Sequence, residues 1–278
     1  MDELDNMSEQ EKLKAENDFL KMKMMLENGA QFENNQELND ISASLENSFL
    51  KNVMAFEKQF EKRTTTTVFD KIGQPDHFSP AENLTDNEIA AAWVKLQKHM
   101  RKHGVELSVI SPKVTVRELY RFTTEELFEY EIDDIDMPDM ISGFVYDEFY
   151  PDYEMENTNA AIDDCIKLIL KKPLLEYVPQ LAKNNLQLNS HSSLTDKQFK
   201  EIINQFKEAY DKINLTHIDA SSCTIEETTC TVTGNYTAIM QIDRDEIHFN
   251  NTWKVLFHYD DEDGYWYING VFIDGIAF

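Results

Sequence analysis

Apolar residues recur at helical intervals through the first sixty positions. Leu13, Leu20 and Met24, with Phe19 and Met25 alongside, predict a helix over residues 9–28, stopped by Asn28-Gly29. A polar stretch, QFENNQELND, follows. Then Ile41, Leu45, Phe49, Val53, Phe56 and Phe60 recur at steps of four, four, four, three and four. That spacing predicts an amphipathic helix with a single apolar stripe. The stripe has two uses: it closes an α-hairpin packed on the body, or it serves as a dimerisation arm or partner-docking helix.

Thr64 to Thr67 break the helical pattern, and residues 68–84, with Gly73, Pro75 and Pro80, read as an irregular connection. Capping boxes follow. In Thr85-x-x-Glu88 the hydroxyl and the carboxylate satisfy each other's backbone N–H, with Leu84 and Ile89 as the apolar staple. The helix it starts carries Ile89, Trp93, Leu96 and Met100 on one face and ends at Gly104. Val105, Leu107 and Val109 alternate as in a short strand. Thr115-x-x-Glu118 and Thr123-x-x-Glu126 predict two further helices with a tight joint near residues 122–124. Pro138 to Pro151 reads as loop and short strand. A helix capped by Asn157 or Thr158 runs through Ile162, Ile166 and Ile169, and residues 174–193 read as a connector with one short helix.

A fourth box, Thr195-x-x-Gln198, opens a helix reaching about Lys212, after which the period switches to two. Val232, Tyr236, Ala238, Met240 and Ile242 face one side of a strand. Ile247, Phe249, Trp253, Val255 and Phe257 do so in the next, and Asp243-Arg244-Asp245 and Asp263-Gly264 sit at turns. With 215–225 and a final strand over 265–278, this gives about four antiparallel strands with one face covered. The expected class is α+β: a helical N-terminal and central region, then a C-terminal helix packed on a curved antiparallel sheet. The expected domains are 1–63, a helical arm or α-hairpin; 64–190, a mainly helical acidic and aromatic domain; and 191–278, an α+β domain.

Charge changes the picture. The 278 residues hold 52 Asp and Glu against 26 Lys and Arg, a net charge of −26. The acids concentrate around KVTVRELYRFTTEELFEYEIDDIDMPDMISGFVYDEFYPDY (113–153), threaded with Tyr and Phe, and from Glu118 to Asp152 the only base is Arg121. Aromatic density of that kind marks packed structure and not a solvated tail. Backbone-phosphate binding needs a basic surface, so nucleic acid is excluded as a partner, and anionic membranes with it. A basic protein fits, and homodimerisation is the other option. The N-terminus lacks the apolar core of a secretory signal, and no apolar run approaches the roughly 20 residues of a spanning helix. Cys165, Cys223 and Cys230, odd in number, fit a reducing cytoplasm.

GNYTAIMQI followed by NNTWKVLFHYDDEDGYWYINGVFIDG resembles the end of a SnoaL-like domain, of the nuclear transport factor 2-like or cystatin-like superfold. The likeness rests on Trp253-Lys254-Val255 in a long strand, an acidic-Gly turn and Trp266, and covers roughly residues 195–278. The central region resembles a family of uncharacterised bacterial proteins. The superfold hosts isomerases, dehydratases, cyclases and binding modules, so the likeness implies a fold and not an activity.

Four sets of residues carry candidate chemistry. Asp133, Asp134, Asp136 and Asp139 offer hard oxygen ligands, but no start gives a calcium-loop register, so the cluster is read as a surface for a basic partner. His99 and His103 stand one helical turn apart, a metal face that lacks the zincin glutamate, with His77 as the nearby third nitrogen. His217 and Asp219 share one strand face as an acid–base pair can, against the plainer reading of a surface pair. Cys223 and Cys230 face each other across a hairpin centred near Glu226-Glu227. No phosphate-loop, dinucleotide, C-x-x-C or nucleophile-elbow motif is present. No cofactor is expected. The function read from this is a non-enzymatic cytoplasmic protein–protein interaction module with an acidic, aromatic surface. The alternative is a small-molecule-binding or lyase- or isomerase-like enzyme using the cavity of the C-terminal domain.

Overall fold

The computed structural model describes residues 7–32, 41–62, 64–75 and 78–278. His77 and most of the polar stretch after the first helix lie outside the described residues. The chain is α+β and divides into two compact units, Met1–Glu148 and Phe149–Phe278. The segment expected as a central domain, 64–190, spans that division.

In the first unit, α1 (Glu9–Asn28) and α2 (Ala43–Phe60) form a hairpin. Ser8 caps α1 in a reciprocal box with Glu11, and Gly29 ends it in the left-handed region at φ 67°. The seam between the helices is built from Leu13, Asn17, Leu20 and Met24 on α1 and Ala43, Asn47, Leu50 and Met54 on α2. At its centre the Asn47 amide donates to Asn17 Oδ1 (2.8 Å), and the Asn17 amide donates to Ala43 O (2.9 Å) and Glu46 Oε2 (2.8 Å). A lone polar pair in an apolar seam fixes register, because any slip leaves buried amides unpaired.

Beyond the hairpin, β1 (Thr65–Thr67) leads into the single turn α3 (Val68–Lys71), and a 3₁₀ turn at Ala81–Asn83 precedes α4 (Asp86–Lys102). β2 (Val105–Ser108), α5 (Val116–Glu125), a 3₁₀ turn at Leu127–Glu129, β3 (Glu131–Asp133), β4 (Ser142–Val145) and α6 (Tyr146–Phe149) follow. β1 pairs antiparallel with β3, and β2 pairs parallel with β4. The core takes Val68, Ile72, Ile89, Trp93, Leu96, Met100, Leu119, Tyr120, Phe122 and Phe128. The expected box at Thr85 forms: the Glu88 carboxylate accepts from Thr85 N (2.9 Å) and Oγ1 (2.7 Å). The two expected helices after Thr115 are one. Thr123 is buried inside α5 and its hydroxyl donates back to Leu119 O (2.7 Å), so it continues the helix where it was read as a cap.

The second unit opens with α7 (Tyr153–Asn159), capped by Asp152, whose carboxylate accepts from Met155 N (3.2 Å). It therefore starts ahead of the expected caps Asn157 and Thr158. A π-helical stretch at Ala160–Ile166 widens it before α8 (Lys167–Ile169). β5 (Leu186–Leu188) and β6 (His191–Leu194) form where a connector with a short helix was expected. α9 (Asp196–Glu208) precedes the long strands β7 (Lys212–Glu226), β8 (Thr229–Ile242), β9 (Asp245–Asp260) and β10 (Tyr265–Ile273). The six strands run in the order β6-β5-β10-β9-β8-β7, antiparallel except for the parallel β5–β10 contact. The four expected strands thus gain two short ones at one edge. One face of the sheet is covered by α9 and the 153–169 helices, with Phe199, Ile203, Ile166 and Ile169 packed among Val232, Tyr236, Met240, Trp253, Val255, Phe257 and Ile268. β7 is the opposite edge, and register shifts at Leu215/His217 and Ala220/Ser222 break its free side. Bulges of this kind keep an edge strand from recruiting another.

Candidate functional site

The apolar stripe predicted on α2 exists, but it does not close the hairpin. Ile41, Leu45 and Phe49 face away from α1, with Phe49 64% and Leu45 62% exposed, whereas Leu50 in the seam is 2% exposed. Phe56 and Phe60, lower on the same stripe, are half-buried and stack on each other at 5.8 Å. α1 mirrors the arrangement: Phe19, Met22 and Leu26, one side of the helix at steps of three and four, are 63%, 59% and 80% exposed. Each helix therefore buries one face in the seam and presents an apolar row on the other. Scattered exposed apolar side chains need no explanation, but contiguous rows mark an interaction surface.

The acidic loop sits at the foot of this hairpin. The Gln59 side chain, in the last turn of α2, donates to Asp136 O (3.0 Å) and accepts from Asp136 N (2.8 Å). Lys71 Nζ donates to Ile135 O (2.8 Å) and lies 3.7 Å from the Asp134 carboxylate. Asp133, Asp134, Asp136 and Asp139 are all exposed while Ile135 between them is buried. Main-chain groups and Ile135 thus hold the loop in place, and the carboxylates of Asp133, Asp136 and Asp139 face solvent. The loop follows β3, not a helix end, so the helix dipole plays no part in it.

Much of the remaining acidity of this stretch is structural. Arg121 binds Glu118 through Nε (2.8 Å) and Nη2 (2.5 Å) and Glu126 through Nη1 (2.6 Å), with Glu125 at 3.8 Å. The Arg121 guanidinium holds the Glu118 carboxyl below the usual carboxylate range, helped by the Tyr146 hydroxyl at 2.9 Å. Because Glu118 is engaged by Arg121 and Tyr146, Thr115 caps α5 by accepting from Glu118 N (3.2 Å) without the reciprocal half of the box. Asp147 is buried and accepts from the amides of Ile110 (2.6 Å) and Ser111 (2.9 Å).

His99 and His103 lie side by side on α4, ring centroids 4.7 Å apart. His99 Nε2 is 2.8 Å from Ile72 O, and since a carbonyl only accepts, that nitrogen carries a proton and is not a free ligand. Burial lowers the His103 pKa, with the His99 and Lys102 charges adding to the effect. Among the described residues no three His, Cys, Asp or Glu side chains group as metal ligands.

His217 and Asp219 do come together: Nε2 lies 2.9 Å from Oδ2 on the exposed face of β7. Asp219 also accepts from the Asn235 side-chain amide (3.0 Å), and these contacts, His217 first, lower its pKa. His217 borders an open groove of about 750 Å³ lined also by Lys167, Lys171, Lys172 and Ile213; Asp219 does not line it. Both side chains are exposed, so no low-dielectric setting sharpens their acid–base chemistry. Cys223 and Cys230 sit with sulfurs 3.5 Å apart as free thiols, and burial pushes Cys230 up to about 12. The covered face of the sheet, where the enzyme alternative needs a cavity, is filled by Tyr236, Met240, Trp253, Phe257 and Trp266.

Sequence reasoning missed the outward row of α1, although Phe19, Met22 and Leu26 carry its helical spacing. It also missed a lysine-edged groove on α4, described below. No described helix is long and apolar enough to cross a membrane.

No family model and no curated protein matches the chain, so the likeness of its central region to a bacterial family finds no counterpart there. Solved structures resemble part of it. The Kfla4162 protein of Kribbella flavida shares 14% identity, covering 42% of this chain and 90% of its own, at a TM-score of 0.32. An NTF2-like protein from Anabaena variabilis shares 13%, covering 44% and 89%, at 0.33. A Streptomyces avermitilis protein of the NTF2-like family, provisionally described as a dehydratase, shares 13%, covering 44% and 96%, at 0.32. The matched share in each case is less than half of this chain, and TM-scores this low lend no support to an activity.

Proposed function

We propose that this chain is a protein–protein interaction module whose binding surface combines the outward apolar rows of the α1–α2 hairpin with the acidic loop at its foot. The observation that carries this reading is the double-faced hairpin: Phe19 and Phe49 lie on the sides of α1 and α2 that the seam does not use. The partner that fits is a basic amphipathic segment. Its apolar side takes the place of water over the α2 row, whose helix also holds the acidic loop through Gln59, and its cations meet Asp133, Asp136 and Asp139. The α1 row, on the other side of the hairpin, is left for a second contact. Charge complementarity of this sort acts mainly on the rate of encounter, and buried apolar anchors on the lifetime of the complex.

The alternative, an enzyme working in the C-terminal unit, has against it the filled inner face of the sheet and the exposure of His217 and Asp219. A second copy of the chain is the other occupant to test. α1 and α2 hold seven acids and six bases, so the hairpin escapes the repulsion that a net charge of −26 imposes elsewhere.

The test is affinity capture with the full chain, followed by association kinetics on the recovered partner. Phe19→Glu with Phe49→Glu is expected to abolish binding through faster dissociation. Asp133, Asp134, Asp136 and Asp139 all changed to Asn are expected to slow association at low salt. Sedimentation of the free chain separates self-association from a foreign partner. Recovery of no partner from a monomeric chain, or binding indifferent to both variants and to ~0.5 M salt, overturns the reading, since charge-led contacts are screened there.

A further inference from the structure

The first unit contains a groove that the proposed surface does not use. It runs along α4, encloses about 720 Å³, and is floored by Leu84, Leu96, Phe78 and the Tyr120 ring. That volume falls within the ~300–1,000 Å³ of small-molecule pockets. Leu96 and Tyr120 are core side chains, and the Tyr120 hydroxyl donates to Ser79 O (3.0 Å). Its one polar atom is thereby satisfied and the floor is apolar.

Lys95, Lys98 and Lys102, at steps of three and four on α4, line one edge of this groove. Among the described residues no acidic side chain lines the groove, and none of the three lysines has an ion-pair partner there. Other lysines do: Lys21, Lys51, Lys71, Lys167 and Lys200 each hold a carboxylate. In a chain with twice as many acids as bases, three adjacent cations with no described carboxylate beside them are an unbalanced local charge. The helix dipole accounts for cations in the last turn, at His99 and Lys102, but not for Lys95 or for the apolar trough beside them.

We propose that this groove binds a single-chain amphipathic anion of the fatty-acid class, the hydrocarbon lying over Phe78, Leu84 and Ala92 and the carboxylate held by Lys95, Lys98 and Lys102. Apolar length without charge fits the floor but leaves the lysines repelling one another. A small inorganic anion fits the lysines but leaves the floor wet. An anionic head on an alkyl chain satisfies both, and flexible ammonium groups suit a carboxylate as point charges.

The proposal is tested by calorimetric titration of the full chain with decanoate, decanol and decyltrimethylammonium. Decanoate is expected to bind at least tenfold more tightly than either of the others. Lys95→Gln, Lys98→Gln and Lys102→Gln combined lie at exposed positions, so the variant keeps the parent melting temperature, and decanoate binding is expected to weaken at least tenfold. Ala92→Trp, which fills the groove, is expected to abolish it. Should that variant fail to fold, the lysine variant decides alone. Equal binding of decanol and decanoate, or decanoate binding untouched by the lysine changes, overturns the proposal and places the ligand elsewhere, for example on the hairpin rows. Binding to anionic vesicles without binding to monomeric decanoate also overturns it.

Discussion

Trp253 lies against Gly234, its cross-strand partner on β8, so closely that a Cβ at 234 would stand 2.5 Å from the indole Cζ2. The same Cβ would stand 1.9 Å from the carbonyl oxygen of Asp219 on β7, and the indole N–H donates to Asn235 O (3.2 Å). Three strands therefore meet at a point where only hydrogen fits. Trp253→Ala is expected to cost about 3–5 kcal/mol in urea unfolding, as for other buried large aromatics. Gly234→Ala is expected to destabilise as well, and to remain destabilising on the Trp253→Ala background because the clash with the Asp219 carbonyl persists. A double variant no less stable than Trp253→Ala alone would show that the ring alone demands the glycine.

Neighbours on α2 are expected to respond in opposite ways. Leu50→Ala removes a seam side chain and should cost about 2–5 kcal/mol. Phe49→Asp, one residue away on the outward row, should leave the melting temperature of the free chain within about a degree, since surface changes fall within roughly ±0.5 kcal/mol. The stripe as read from spacing alone gives the reverse for Phe49. Thermal unfolding of the two variants side by side distinguishes the readings.

Changing Asp133, Asp134, Asp136 and Asp139 together to Asn is expected to leave the fold unaltered and stability equal or slightly higher. The loop is held through Gln59, Lys71 and Ile135, which bond its main chain or are buried, and the variant removes mutual repulsion. Unfolding of the variant would mean that the carboxylates themselves hold the loop.

Lys207 supplies a pH dependence. It is buried, its ammonium donating to the carbonyls of Leu168 and Pro173 (2.7 Å each), and burial lowers its pKa from 10.5 to about 8. Below about pH 8 it is charged folded and unfolded, and the folded state carries the desolvation penalty. Between pH 8 and 10.5 the unfolded chain binds more protons at this site, so its contribution rises with pH. Cys230 and Tyr236, both raised to about 12 chiefly by burial, act in the opposite direction. A comparison with Lys207→Met cancels them. The stability of the parent minus that of the variant is expected to increase from pH 7.5 to 9.5, and a flat difference would show that Lys207 does not titrate there.

The alternation that marks β8 and β9 was legible because one face is covered: Val232, Tyr236, Met240, Trp253, Val255 and Phe257 are all buried as their parity predicts. Ile242 and Ile247, at the far ends of the two strands, are exposed and stand outside the core cluster. β5 and β6 were not legible. They are three and four residues long, and His191-Ser192-Ser193 shows no alternation. Thr123 illustrates a competing chemistry, since a hydroxyl that can cap a helix can equally bond back four residues within one. The hairpin was misjudged for a specific reason. Its true seam carries Asn17 and Asn47 and so scores as polar, while the richer row of Ile41, Leu45 and Phe49 looks like the core. Of the candidate residues, spacing brought His217 and Asp219 together correctly, but no periodicity announces which lysines of an acidic chain are left without a carboxylate.

The Asn17–Asn47 pair has a bearing on how this molecule can change over time. Because the seam itself settles how the two helices align, with the buried amides at its centre, the outward residues carry no share of that task. Substitutions at Phe19, Met22, Leu45 or Phe49 can therefore exchange one binding preference for another without a detour through an unfolded ancestor. A change at either asparagine has no such freedom, since the remaining amide is stranded inside the seam until its opposite number changes too. Specificity and foldability are inherited here on different sides of the same two helices.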